Sequence, residues 1–174
     1  WNNINFRIMR NINLIVGHCS ATAIDESYTV EQLERDHKNR NFSAIGYHYY
    51  IRRDGTKHKC RPLEKIGAHA KGHNTGSVAW CYEGGIIAGG RANIASHAKD
   101  TRTEAQKKSI KEVIKEIYNF FGDYQDMSEV KILGHRDLSP DLDGNGKITP
   151  NEYMKQCPCY DVESENYESL INKS

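Results

Sequence analysis

Long apolar runs are missing from this chain. No stretch of its 174 residues approaches the roughly 18 apolar residues of a bilayer-spanning helix, so no membrane span is expected. The opening residues, Trp1 to Ile8, lack the apolar core of a secretory signal. They read as a leader or as appended residues ahead of Met9, and the domain is taken as 9–174. An excess of one charge is also missing. The 24 basic side chains stand against 23 acidic ones, a formal net charge of +1. That balance argues against nucleic acid as a partner, since backbone phosphates are met by a basic excess. Cysteine is sparse and odd in number. Cys19, Cys60, Cys81, Cys157 and Cys159 do not make a disulfide framework, and a chain of this length can bury a core without one. The first three read as small buried apolar side chains. No repeat, low-complexity tract or linker divides the sequence, so a single domain and a monomer are expected.

What is present reads as alternating strands and helices. Ile12 to Val16 forms a short apolar strand running into Gly17-His18-Cys19-Ser20. Thr29-Val30-Glu31-Gln32 is a capping box, opening a helix to Asn39. Tyr47 to Arg53 and Lys57 to Pro62 flank Asp54-Gly55, a hairpin signal. Val78 to Tyr82 is a further strand, closed by Gly84-Gly85. Thr103 and Gln106 form a second capping box, followed by Ile110, Val113, Ile114, Ile117 and Phe121 at helical spacing, with Gly122 as a stop. Val130 to Leu133 is a short strand running into Gly134-His135, and a helix is expected from near Pro150. The class is α/β: a single mixed sheet of about five strands flanked by helices.

Two strands end alike, at Gly17-His18 and Gly134-His135. If they are neighbours, both imidazoles converge at one sheet edge, where a ligand is held rigidly. Cys157 offers a third soft donor, and three protein ligands leave the fourth zinc position open. The three are far apart in sequence, so spacing alone leaves structural roles for them open.

Further blocks are Ile45-Gly46-Tyr47-His48-Tyr49, Arg53-Asp54-Gly55-Thr56, Gly67-Ala68-His69-Ala70-Lys71-Gly72-His73-Asn74, Gly134-His135-Arg136-Asp137 and Lys155-Gln156-Cys157-Pro158. With Gly17 to Thr22 they occur in order across residues 12–161. Together they resemble the zinc-dependent N-acetylmuramoyl-L-alanine amidases of phages and bacteria, whose fold is shared with the peptidoglycan recognition proteins. The resemblance implies Zn2+ on His18, His135 and Cys157, with Tyr47 and Lys155 as catalytic side chains beside it. It places His69, Lys71, His73, Asn74 and Ser77 along the substrate groove. Cys159 has no role in that pattern, although its spacing lets it exchange with Cys157. The implied reaction is zinc-dependent hydrolysis of the amide between N-acetylmuramic acid and L-alanine in peptidoglycan. Lys155 and Tyr47 would serve the oxyanion, and Tyr47 is favoured over His48 as proton donor to the leaving amine. The alternative is a non-catalytic peptidoglycan-binding module, against which Cys157, Tyr47 and Lys155 speak. Peptidoglycan lies outside the cytoplasm, but the sequence carries no visible signal, so localisation stays open.

One stretch departs from the shorter phage members. Residues Asp141 to Glu152 match the EF-hand loop pattern, with oxygen donors at its first, third, fifth and twelfth positions and glycine at the sixth. Asp141, Asp143, Asn145, the Lys147 carbonyl and Glu152 would hold Ca2+. No entering helix is evident, and Thr149, Pro150 and Glu152 equally suit a capped polar turn. A third function therefore stays open: a calcium-dependent interaction domain with structural histidines.

Overall fold

The computed structural model describes residues 9–171; the expected leader, 1–8, lies outside them. Along the chain come β1 (Leu14–Cys19), β2 (Thr22–Ala23), α1 (Val30–Asn39), β3 (Tyr49–Ile51), β4 (Lys57–Lys59), β5 (Ser77–Tyr82), β6 (Gly85–Ile86), α2 (Glu104–Gly122) and β7 (Lys131–Gly134). Five strands form one mixed sheet in the order β4-β3-β5-β1-β7. All its pairings are parallel except the β3–β4 hairpin. β2 and β6 form a separate parallel pair. No helix among the described residues is long and apolar enough to cross a membrane.

The central strands β1 and β5 are buried at every position, as strands covered on both faces must be. Their side chains alternate between two cores with the period of two that a strand imposes. Ile15, Val78, Trp80 and Tyr82 meet the apolar stripe of α2, namely Ile110, Val113, Ile114, Ile117 and Phe121. Tyr50 and Cys81 pack instead with Leu33 of α1 and with Ile45. Each fully buried side chain of this size contributes about 1.5–3 kcal/mol.

Both capping boxes form. The one on α2 does more than close a helix end: the buried Gln106 amide also donates to the carbonyls of Ile51 and Glu83, which ties α2 to β3 and the end of β5. The C-terminal segment is held by the buried Arg102, which pairs with Asp100 and Glu165 and lies over the Tyr160 ring.

Several boundaries differ from the sequence reading. β1 runs on through His18 and Cys19, because its parallel pairing with β5 continues to Tyr82. Gly122 is the last residue of α2, and the chain leaves through Asp123 in right-handed backbone, φ −72°, so no left-handed glycine stop is needed. The helix expected from Pro150 is a single 3-10 turn, Pro150–Glu152. Tyr153 is extended there, and the Met154 N–H donates to Ser139 Oγ in place of a helical carbonyl. All five cysteines are free; Cys19 and Cys81 are buried as expected, and Cys60 is half-buried.

Gly17 stands opposite Trp80 in the β1–β5 register, and a Cβ on it would lie 2.5 Å from Trp80 Cζ2. Trp80 is fully buried and has little room to yield. Gly17→Ala is therefore expected to lower stability by about 1–3 kcal/mol, measured as a fall in the urea midpoint. An unchanged midpoint would show that the indole moves freely.

Candidate active site

β1 and β7 pair in parallel with Gly17 opposite Gly134. The residues that follow, His18 and His135, therefore emerge side by side, with ring centroids 4.6 Å apart. His135 opens a 3-10 turn, His135–Leu138. Two contacts fix that turn: Gly134 N–H donates to Asp137 Oδ2 at 2.7 Å, and Arg136 N–H donates to the Cys157 carbonyl at 2.8 Å. The second contact delivers Cys157, whose Sγ lies 3.6 Å from His18 Nδ1 and accepts the Cys19 N–H at 3.3 Å. One donor atom each from His18, His135 and Cys157 lie within 4.8 Å of one another.

The electrostatics suit a metal ion. Burial pushes the His18 pKa down, against the opposing pull of Cys157, so the imidazole stays neutral. A hydrogen bond from Cys19, opposed by burial and aided by His18 and His135, holds the Cys157 thiol well below its ordinary pKa. A neutral His18 imidazole and a Cys157 thiolate are protonation states that suit a metal ligand. Three donors also leave a position open for water or substrate.

Behind the cluster, His18 Nε2 meets His69 Nδ1 at 3.0 Å, and His69 Nε2 meets Ser77 Oγ at 3.0 Å. Were His18 Nδ1 to ligate a metal, its Nε2 would carry the proton and donate to His69. Burial and the neighbouring His18 keep His69 neutral as well. This outer contact sets the tautomer and tilt of His18.

In front lies a cleft of about 520 Å³ bordered by the cluster, Tyr47, Lys155, His69, Lys71 and Asn74. Tyr47 lies just before β3, its ring centroid 5.0 Å from that of His18. Burial raises its pKa well above the ordinary value, so it is a phenol that donates. Lys155 is exposed at the rim, on irregular backbone after the Pro150 turn and not on the expected helix. Asn74 shapes its loop by accepting the N–H groups of His69 and Ala70.

Two expected groove positions, and the alternative sulfur Cys159, fall elsewhere. Ser77 is fully buried at the start of β5, under His69 and away from the cleft. His73 is exposed and borders an adjoining groove with Leu138 and Met154. Cys159 turns its sulfur to Cys19, 3.6 Å away, and stands outside the three-residue cluster. Sequence reasoning missed His37, which also borders the cleft. Its Nδ1 accepts the Gly46 N–H at 2.9 Å and its ring lies 5.4 Å from Tyr47, anchoring the loop that presents the tyrosine. Its place four residues after Leu33, on the buried face of α1, was the available signal.

In the Asp141–Glu152 loop, carboxylate oxygens of Asp141, Asp143 and Glu152 lie within 4.8 Å of one another. They are engaged by the loop itself. Glu152 accepts from the N–H groups of Leu142, Asp143 and Thr149. Asp141 accepts from Gly144 and Gly146. Asn145 donates to Asp143 and accepts from Lys147 N–H.

The fold and the cleft define an α/β protein whose chemistry gathers at the carboxyl ends of parallel strands. The model of the N-acetylmuramoyl-L-alanine amidase family matches residues 9–159, and the chain belongs to that family. An uncharacterized protein of Haemophilus influenzae is 44% identical over 109 residues, 63% of this chain and 84% of its own length. The endolysin of Enterobacteria phage K11 is 31% identical over 146 residues, covering 84% of this chain and 80% of the phage protein. Among solved structures, the N-acetylmuramoyl-L-alanine amidase LysC from Clostridium intestinale superposes with a TM-score of 0.64 at 23% identity, covering 95% of this chain and 88% of that one.

Asp137 holds the turn that aims His135. Asp137→Ala removes the acceptor of the Gly134 N–H and is expected to cost about 1–3 kcal/mol. Asp137→Asn, which keeps an oxygen there, should cost less. Denaturant unfolding of the two variants measures the difference, and equal losses would mean that the hydrogen bond contributes nothing.

Proposed function

We propose that this protein hydrolyses the amide between N-acetylmuramic acid and L-alanine in peptidoglycan, with Zn2+ held by His18, His135 and Cys157. The observation that carries this reading is the convergence of two imidazoles and a thiol of lowered pKa beside the cleft, in a chain of this family. Zinc in that position supplies Lewis acidity to the amide carbonyl and acidifies water.

The chain's own side chains supply the rest. Tyr47, kept protonated by burial, would donate a hydrogen bond to the carbonyl oxygen as it gains charge, and would relay the proton given up by the attacking water to the departing amine, ending the cycle as a phenol. Lys155 brings ammonium donors to the same oxygen from the rim. His69 steadies His18 and also borders the cleft, whereas Ser77 lies buried beneath it and steadies His69. Lys71, exposed on the cleft wall, offers a cation to the carboxylates of a stem peptide, while Asn74 keeps its loop in shape. A binding module would have no use for a half-buried thiol aimed at two imidazoles, and this favours the enzyme.

We also propose Ca2+ for Asp141, Asp143, Asn145, Lys147 and Glu152. The EF-hand spacing and the approach of three carboxylates support it; the family resemblance does not.

Two measurements test these readings. The protein purified without a histidine tag should hold about one zinc per chain, the fourth ligand position staying free as at catalytic zinc sites, and should release stem peptides with a free L-alanine amino terminus from peptidoglycan. Cys157→Ala should lose both. Bound zinc without release would leave the binding module, and neither zinc nor release would overturn the proposal. Added Ca2+ at about 100 times its Kd should stabilise the fold by about 2.7 kcal/mol, seen as a raised Tm, and Glu152→Gln should remove the rise. A wild-type Tm indifferent to Ca2+ would make the loop a capped polar turn.

A further inference from the structure

We propose that Cys19 and Cys159 form a disulfide that fastens the active-site strand to the segment carrying Cys157, leaving Cys157 itself free to ligate. Their sulfurs lie 3.6 Å apart, against the roughly 2.05 Å of a disulfide bond. Cys19 is the last residue of β1, directly after His18. Cys159 stands two residues past Cys157, in left-handed backbone with φ 69°. A bond between them joins the two segments that present the cluster.

Three features single out this pair from the other thiols. Gly85 lies over both sulfurs: a Cβ there would come within 2.6 Å of Cys19 Sγ and 3.4 Å of Cys159 Sγ, so a bare backbone leaves the pair room to turn. A second cavity of about 420 Å³ reaches Cys19 and Cys159 beside Ile86 and Ala98, which gives a small disulfide access. Cys157 borders that cavity too, and the Cys19 thiol also interacts with it, but its sulfur is turned to His18 Nδ1 and to the Cys19 N–H.

The chemistry is thiol–disulfide exchange with a low-molecular-weight disulfide such as oxidised glutathione. The half-buried Cys159 sulfur attacks one glutathione sulfur and releases the first glutathione as its thiol. Cys19 then displaces the second. Two electrons and the two cysteine protons pass to the two glutathiones. Peptidoglycan as substrate, which rests on the reading above, would bring the protein to compartments where such pairs are kept oxidised; the bridge itself does not depend on that reading.

The test treats the whole protein, with zinc added and zinc content read separately, with oxidised glutathione, and then alkylates the remaining thiols. Before alkylation the expected product is about 2 Da lighter than the reduced protein, and afterwards it carries a Cys19–Cys159 link located by fragment sequencing. Cys60, Cys81 and Cys157 should remain alkylatable after unfolding. The Tm should rise by about 5–10 °C, because the bond closes a loop spanning most of the chain. A reductant should reverse the rise, and Cys159→Ser should show neither link nor rise. A Cys19–Cys157 link, a persistent glutathione adduct or an unchanged mass would each overturn the proposal. Since zinc is measured independently, failure of the metal reading and failure of the bridge stay distinguishable.

Discussion

The parallel pairing of β1 with both β5 and β7 is the constraint on which this molecule depends. It sets Gly17 opposite Trp80 on one side and Gly134 on the other. The His18–His135 approach then follows from register alone, because each histidine is the next residue along its strand. A one-residue slip of β7 would move every one of its side chains to the opposite face and part the imidazoles. The glycines are part of the same constraint. Any side chain on Gly17 meets the Trp80 ring, and one on Gly134 would come within 2.7 Å of Pro158 Cδ, where the Cys157 segment crosses β7.

Burial then decides protonation. Desolvation holds His18 and His69 neutral and keeps Tyr47 a phenol, while hydrogen bonding draws Cys157 toward thiolate. One half-buried corner of the cleft thus supplies acceptor nitrogens, an anionic sulfur and a hydroxyl donor together. Water would blur these states, because each group would titrate nearer its ordinary value.

Much of this was legible in the sequence, for local reasons. Capping boxes at Thr29 and Thr103 and the spacing of Ile110 to Phe121 are short-range signals, and the helices they predict are present. The His18, His135 and Cys157 trio was legible through two matching strand ends and a family pattern. What was not legible depends on contacts between distant segments. Ser77 looked like a groove residue, yet it is buried by its place in β5 and bonded to a ring eight residues earlier. The Pro150 helix had a good cap, but a tertiary bond from Met154 to Ser139 draws the chain away after one turn. His37 is polar at an apolar helical position, and only the fold shows that its partner is the loop before Tyr47.

The failed helix has a functional consequence. Lys155 and Cys157 are supplied by backbone with no regular hydrogen-bond ladder, held at a few points: Met154 to Ser139, Arg136 to the Cys157 carbonyl and Cys157 to the Cys19 N–H. The histidines, by contrast, are fixed at the ends of paired strands. Segments with few anchors open at lower free-energy cost than sheet interiors, so the site has a rigid half and an adjustable half. The adjustable half carries the thiol and the ammonium, whose positions must suit a bound amide. It is also flanked by the two devices proposed to stiffen it, the Asp141–Glu152 loop on one side and the Cys19–Cys159 pair on the other. The histidine positions therefore follow from the sheet, whereas the placement of Cys157 and Lys155 depends on what holds residues 139 to 159 against it.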